Sequence, residues 1–131
     1  MNWKLILSLS CLGGAMGVAS VLGLTTGIEL YLWIVIAATV AAIVARTVTR
    51  RQFLHGFWIG IIGGAVSPLI QVGLWATYVQ NNPELAIEFE QVPAGFDPKI
   101  FLLAATPLIS ALSGIVQGAL AWVAGKMLGE K

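Results

Sequence analysis

The chain has 131 residues, 58% of them hydrophobic and 10% charged, with a mean hydropathy of +0.90 and a net charge of +1. A soluble domain carries about 25% charged residues, so this composition predicts an integral membrane protein; the near-neutral balance gives no electrostatic footprint for nucleic acid. A crossing takes about 20 apolar residues, so the length predicts a single membrane domain over residues 1–131 with four spans and no separate soluble domain.

The first span is predicted over residues 5–24. Lys4 ahead of an apolar run has the outline of a signal peptide, but the uncharged run is long enough to cross and is expected to be retained. Ser8-Leu9-Ser10-Cys11 suggests a lipoprotein cleavage site with too few apolar residues before it. Cys11, the single cysteine, excludes an internal disulfide and is expected to pack as a small hydrophobe. A turn at Thr25-Thr26-Gly27 leads to a second span over residues 28–45, with Thr26 and Glu29 spaced as a capping box.

Arg46 to Gln52 is the one dense basic stretch, and Thr49 with Gln52 repeats the capping-box spacing at the start of a third span over residues 53–79. That span has no Asp, Glu, Lys or Arg but carries His55, Ser67, Pro68 and Gln71. An outer loop follows over residues 80–98. Asn82 before Pro83 has the form of a helix cap, and Leu85, Phe89 and Val92 share a helical face, the pattern of an amphipathic interfacial helix; Ile87 and Phe89 alternate with Glu88 and Glu90, which also fits a strand. Asp97-Pro98 is expected to cap the fourth span, over residues 99–127, which contains Pro107 and Gln117.

The fold expected is therefore all-α, a polytopic four-helix bundle of two antiparallel hairpins. An N-in/C-in orientation puts Lys4, Arg46, Arg50, Arg51, Lys126 and Lys131 in the cytoplasm and Lys99 alone outside, in keeping with the excess of cytoplasmic Lys and Arg. Trp3, Trp58 and Trp122 then fall at the inner interface, with Tyr31, Trp33, Trp75 and Tyr78 at the outer one. Gly13-Gly14-Ala15 is echoed fifty residues later by Gly63-Gly64-Ala65, as in a duplicated hairpin, though composition alone produces such an echo about as readily.

Small residues four apart recur at Gly13 and Gly17, at Gly56, Gly60 and Gly64, and at Ser110, Gly114 and Gly118. Such rows let helix backbones approach closely, which matters where lipid supplies little drive for association. Polar groups inside a span point to a pathway or pocket. Ser67, Gln71, Thr106 and Ser110 are the candidate ligand-binding residues, a polar level in the outer half of the third and fourth spans; the plainer reading is interhelical hydrogen bonding. Gln117 is placed level with Ser8 and Cys11. His55, a turn from Arg51, lacks the companions of a metal site and is read as a headgroup or loop contact. Arg46, Arg50 and Arg51 serve topology. No phosphate loop, metalloprotease helix or paired nucleophile and base is present, so the chain is read as no enzyme, without cofactor or metal.

Phe53-Leu-His-Gly-Phe-Trp-Ile-Gly60, Tyr78-Val-Gln-Asn-Asn-Pro-Glu84 and Pro107-Leu-Ile-Ser-Ala-Leu-Ser-Gly-Ile-Val-Gln-Gly118 with Ala121-Trp-Val-Ala resemble the second half of small four-helix bacterial inner-membrane proteins classed as a domain of unknown function. The resemblance covers residues 50–130 and implies a multi-pass inner-membrane protein without implying an activity. Small multidrug exporters differ in their membrane-embedded glutamate, fluoride channels in a glycine break with Thr-Thr-Phe-Ser. The function expected is a non-enzymatic packing, assembly or partner-interaction role among membrane lipids, with a homo-oligomer or a membrane-protein partner; the alternative is a small oligomeric channel or transporter.

Overall fold

Long uncharged stretches leave the backbone no water to bond, so each must satisfy its own N–H and C=O groups as a helix. In the computed structural model, which describes residues 1–128, they do so: α1 (Trp3–Val21), α2 (Glu29–Thr47), α3 (Gln52–Gly73), α4 (Trp75–Asn81), α5 (Leu85–Phe89) and α6 (Pro98–Leu128), with no strand among the described residues. Four of these, α1, α2, α3 and α6, are long and apolar enough to cross a membrane. Lys131, assigned above to the cytoplasmic side, lies outside the described residues.

The helix ends show which local signals act. Asn2 caps α1, its side chain accepting from the Leu5 N–H at 3.2 Å, and Asp97 caps α6 in the expected way, accepting from Lys99 N–H at 2.9 Å. Past α1, Gly23 takes φ +73°, a left-handed conformation that closes the helix by returning its N–H to the Ser20 carbonyl. The two capping boxes do not form. Ile28 precedes α2 with no side-chain cap, because the Thr26 hydroxyl is directed instead to Gly23, Asn82 and Glu84. Arg51 precedes α3 in a left-handed conformation, φ 58°. Gln52 turns back to donate to the Val48 carbonyl at 2.8 Å and the Ala45 carbonyl at 3.4 Å, so it satisfies orphan acceptors at the end of α2 rather than donors at the start of α3.

The third span is not one helix over residues 53–79. It stops at Gly73, Leu74 is non-helical at φ −112° and ψ 37°, and α4 begins at Trp75. Gln71 and Asn82 both reach Ser20, at 3.0 Å to its hydroxyl and 2.9 Å to its carbonyl. Eleven residues of straight helix would cover about 16 Å, so α4 is bent off the axis of α3 toward the end of α1. The outer loop holds a helix, α5, rather than a strand, but it is five residues long. Leu85 is buried and Phe89 stacks on Trp75 at 5.2 Å, while Ile87 is exposed. Asn82 does not cap α5, its side chain being committed to Ser20 and Tyr78.

Helix α1 packs on α3, α3 on α6 and α6 on α2, whereas α1 and α2, although consecutive, hardly touch. Residue numbers rise together between α1 and α3, where Gly13 lies on Gly63 and Gly17 on Ser67. They run oppositely between α3 and α6, where Gly56 meets Gln117, Gly60 meets Ser113 and Gly118 meets Phe53. A Cβ on Gly13 or Gly60 would overlap the facing backbone, of Gly63 and of Ser113 respectively. Ile6, Val40, Val44, Val48, Ile59 and Ala121 form the buried apolar cluster. Outside it, long apolar side chains such as Leu30, Val35, Leu108 and Ile115 are exposed, as a surface facing lipid would be. Cys11 is exposed too, its thiol donating to the Leu7 carbonyl, so it does not pack inside the bundle as expected.

Candidate functional site

The basic end of the molecule is closed. The His55 ring is 4% exposed, accepts the Asn2 N–H at Nε2 (3.0 Å) and sets Nδ1 2.9 Å from the Arg51 carbonyl. Accepting at Nε2 while donating from Nδ1 requires the neutral ring with its proton on Nδ1. His55 thus makes a contact to the loop side of the bundle, tying the start of α1 to α3. Around it Trp3 meets Trp58 at 5.9 Å, and the Lys126 ammonium lies 4.0 Å from the centre of the Trp122 ring. Arg46, Arg50 and Arg51 are exposed at the same end. Among the described residues no three His, Cys, Asp or Glu side chains gather to hold a metal.

At the acidic end Gln71 makes an interhelical hydrogen bond to α1 as part of a polar knot, and not to Thr106 or Ser110 of α6. Gln71 donates to the Ser20 hydroxyl of α1, Asn82 to the Ser20 carbonyl, and Asn81 to the Val21 carbonyl at 3.0 Å. With α3 ending at Gly73, Gln71 is two residues, about 3 Å of helix rise, from the end of its span and not deep within it. Burial raises the Tyr78 phenol above its ordinary pKa; the Ser20 hydroxyl opposes this, and the carboxylates of Glu29, Glu88 and Glu84 add to it. Tyr78 lies outside the four spans and stays uncharged at neutral pH.

Thr106 and Ser110 take no part in this knot. The Thr106 hydroxyl bonds back to Leu102 at 2.9 Å, and Ser110 donates across to the Ile61 carbonyl of α3 at 2.6 Å. Both hydroxyls bond backbone carbonyls other than that of Leu103, the one whose helical donor Pro107 removes. Gln117 donates at 3.1 Å to the Ala37 carbonyl of α2, a polar bond that ties α6 to α2, as Gln52 of α3 does nearer the end of α2.

Because α1 and α2 stand apart, a cleft opens between them over α3 and α6. Its deeper chamber, about 480 Å³, has Gly13, Gly60, Gly63 and Gly64 in its floor and Leu9, Leu12, Ile36, Ala37 and Val116 in its walls. A second chamber, about 350 Å³, lies toward the acidic end and is lined by Glu29, Ser67, Gln71 and Ser113 among apolar neighbours. Trp33, Gly64 and Ser113 line both, so the two are contiguous. Of the four candidate ligand-binding residues, Ser67 and Gln71 line the second chamber; Thr106 and Ser110 do not.

Glu29, Trp33 and Ser113 line the cleft but were not among the candidate ligand-binding residues read from the sequence. Ser113 lies three residues after Ser110, on an adjacent strip of α6, and could have been found by that spacing. Glu29 looked like a cap because the box spacing is a local signal, whereas its place in the chamber depends on α2 leaning away from α1. Comparison with known protein families, with characterised proteins and with solved structures finds no match.

Proposed function

We propose that this chain is a non-enzymatic integral membrane protein, a bundle of two antiparallel hairpins in a bacterial inner membrane with both termini cytoplasmic, and that it acts by binding another membrane component. The cleft between α1 and α2 carries this reading. The small residues are closed over, Gly63 by Gly13 and Gly60 and Gly64 by Ser113, as in helices packed to hold one another together, yet α1 and α2 are left apart and an apolar chamber of about 480 Å³ stays open between them. A cavity of that size is in the range of small-ligand sites, about 300–1,000 Å³. The orientation rests on the gathering of Lys4, Arg46, Arg50, Arg51 and Lys126 at one end and of Glu29, Glu84, Glu88, Glu90 and Asp97 at the other.

A photoreactive amino acid introduced in place of Ala38, which lines the cleft, and of Leu103, exposed on α6 outside it, tests the proposal in native membranes. The expected result is one discrete adduct from position 38 and none from position 103. Indistinguishable patterns from the two would refute it.

The second chamber favours one other reading, a small oligomeric transporter using Ser67 and Gln71. It predicts ion or solute flux through reconstituted vesicles that Gln71→Leu abolishes; vesicles no leakier than protein-free ones count against it.

A further inference from the structure

From the two chambers we infer that the cleft holds one acyl chain of an aminophospholipid, its ammonium headgroup set against Glu29. This deepens the proposed binding role and rests on it. The deeper chamber extends along α6 from Leu112 to Leu120, eight residue steps or about 12 Å of helix rise. One leaflet of a bilayer has a hydrocarbon depth of about 15 Å, half the core thickness. The chamber therefore has the length of one acyl layer. A partner helix spanning the membrane would need a groove walled for about 30 Å; the two chambers together run about 27 Å along α6, from Leu102 to Leu120, but only about 16 Å along α2, from Glu29 to Val40, so one wall covers about half of that length.

The contiguous upper chamber sets the chemistry of the head. Among the described residues Glu29 is the one charged residue that lines either chamber, and no Lys or Arg does. Gln71 has committed its Nε2 to Ser20, which leaves its carbonyl oxygen as an acceptor, and Ser67 and Ser113 add hydroxyls. Acceptors around a single carboxylate suit a primary ammonium, which offers three N–H donors, better than a methylated ammonium, which offers none, or an anionic glycerol head. The charge lies at the mouth and the apolar walls below it, in the order of head and chain in a phospholipid.

Native mass spectrometry of the full-length protein in detergent, titrated with phosphatidylethanolamine, phosphatidylcholine and phosphatidylglycerol of identical chains, tests this. The ethanolamine lipid should be retained about tenfold better than either of the others, the factor that one hydrogen bond to a charged group supplies. Glu29→Gln should remove most of that preference. Val116→Trp, at a cleft-wall position that is 56% exposed and so tolerant of size, should lower retention of all three lipids. Ala38→Leu is the second blocking variant, and unchanged helical circular dichroism identifies the variants that fold. Equal retention of the three lipids, a preference for phosphatidylglycerol, or a preference that survives Glu29→Gln overturns the inference. If a discrete adduct still forms from position 38, the binding role stands with a different occupant; if that adduct is absent as well, both fall.

Discussion

Individual residues in this chain act mainly through what they leave out or where they point. Gly60 leaves out a Cβ that would fall on the Ser113 backbone, while Gly73, at the end of α3, has nothing within 4 Å of the same position. Gly60→Ala should therefore destabilise the protein by about 1–3 kcal/mol, the usual cost of forcing extra volume into a tight contact. Gly73→Ala should be neutral or stabilising by about 0.4–1 kcal/mol through loss of unfolded-state freedom. Thermal unfolding of the two variants in one detergent compares them directly, and equal midpoints would mean that α3 and α6 are not in close contact at Gly60. The rows of small residues were plain in the sequence because periodicity is a local property. Partners were not: Gln71 was identified as an intramembrane polar group, yet its acceptor, Ser20, lies 51 positions away on a helix that no spacing rule connects to it. Gln71→Ala and Ser20→Ala should each cost about 0.6–2 kcal/mol, and the double variant should cost less than their sum. Full additivity in that double-mutant cycle would rule out the bond.

At the level of elements, the four spans were legible because length and hydropathy suffice to define them, and their ends were not. Each misplaced boundary involves a polar side chain with two uses. Gln52, Thr26 and Asn82 all have the residue type and spacing of a cap, but each is drawn to a backbone carbonyl or side chain of another segment that the bundle brings near. The break at Leu74 follows the same logic. Helix α3 runs on through Pro68, and past it nothing up to residue 79 opposes a continuous helix beyond the low propensity of Gly73, but bending there lets Asn81 and Asn82 bond carbonyls at the end of α1. Asn82 is 4% exposed and holds two carbonyl oxygens through one amide nitrogen. Asn82→Leu should cost about 1–3 kcal/mol by removing the side-chain donor to the Tyr78 carbonyl and leaving the Ser20 carbonyl with the Gly23 N–H alone, and the loss should be local. Hydrogen exchange is expected to accelerate across α4 and α5 and to remain unchanged in α1, α3 and α6; uniform acceleration throughout would show instead that this knot is part of the global fold.

On the scale of the molecule, what matters is the order of packing, α1 on α3 on α6 on α2, which departs from the order of the chain. The fifty-residue echo between Gly13-Gly14-Ala15 and Gly63-Gly64-Ala65 acquires a physical use in that order, because Gly13 lies directly on Gly63 while Gly64 faces Ser113 of α6. Their small side chains are what bring α1 so close to α3, and α1 is thereby held away from α2. The cleft is a consequence of that choice of partner, and for this reason it could not be read from any one segment. The arrangement can be tested by cross-linking, in a Cys11→Ser background that removes the native thiol. A Cβ on Gly14 would lie 3.4 Å from a Val66 side-chain carbon, so Gly14→Cys with Val66→Cys places two sulfurs on neighbouring helices within bridging reach. Leu12→Cys with Ile36→Cys places them on walls contributed by α1 and α2. Mild oxidation in membranes should close the first pair rapidly and leave the second reduced, read by whether the two fragments of each variant stay linked after cleavage between α1 and α2, a cut that separates the members of both pairs. Rapid closure of the second pair would mean that α1 and α2 meet in the bilayer, and a bundle closed in that way has no chamber for an acyl chain.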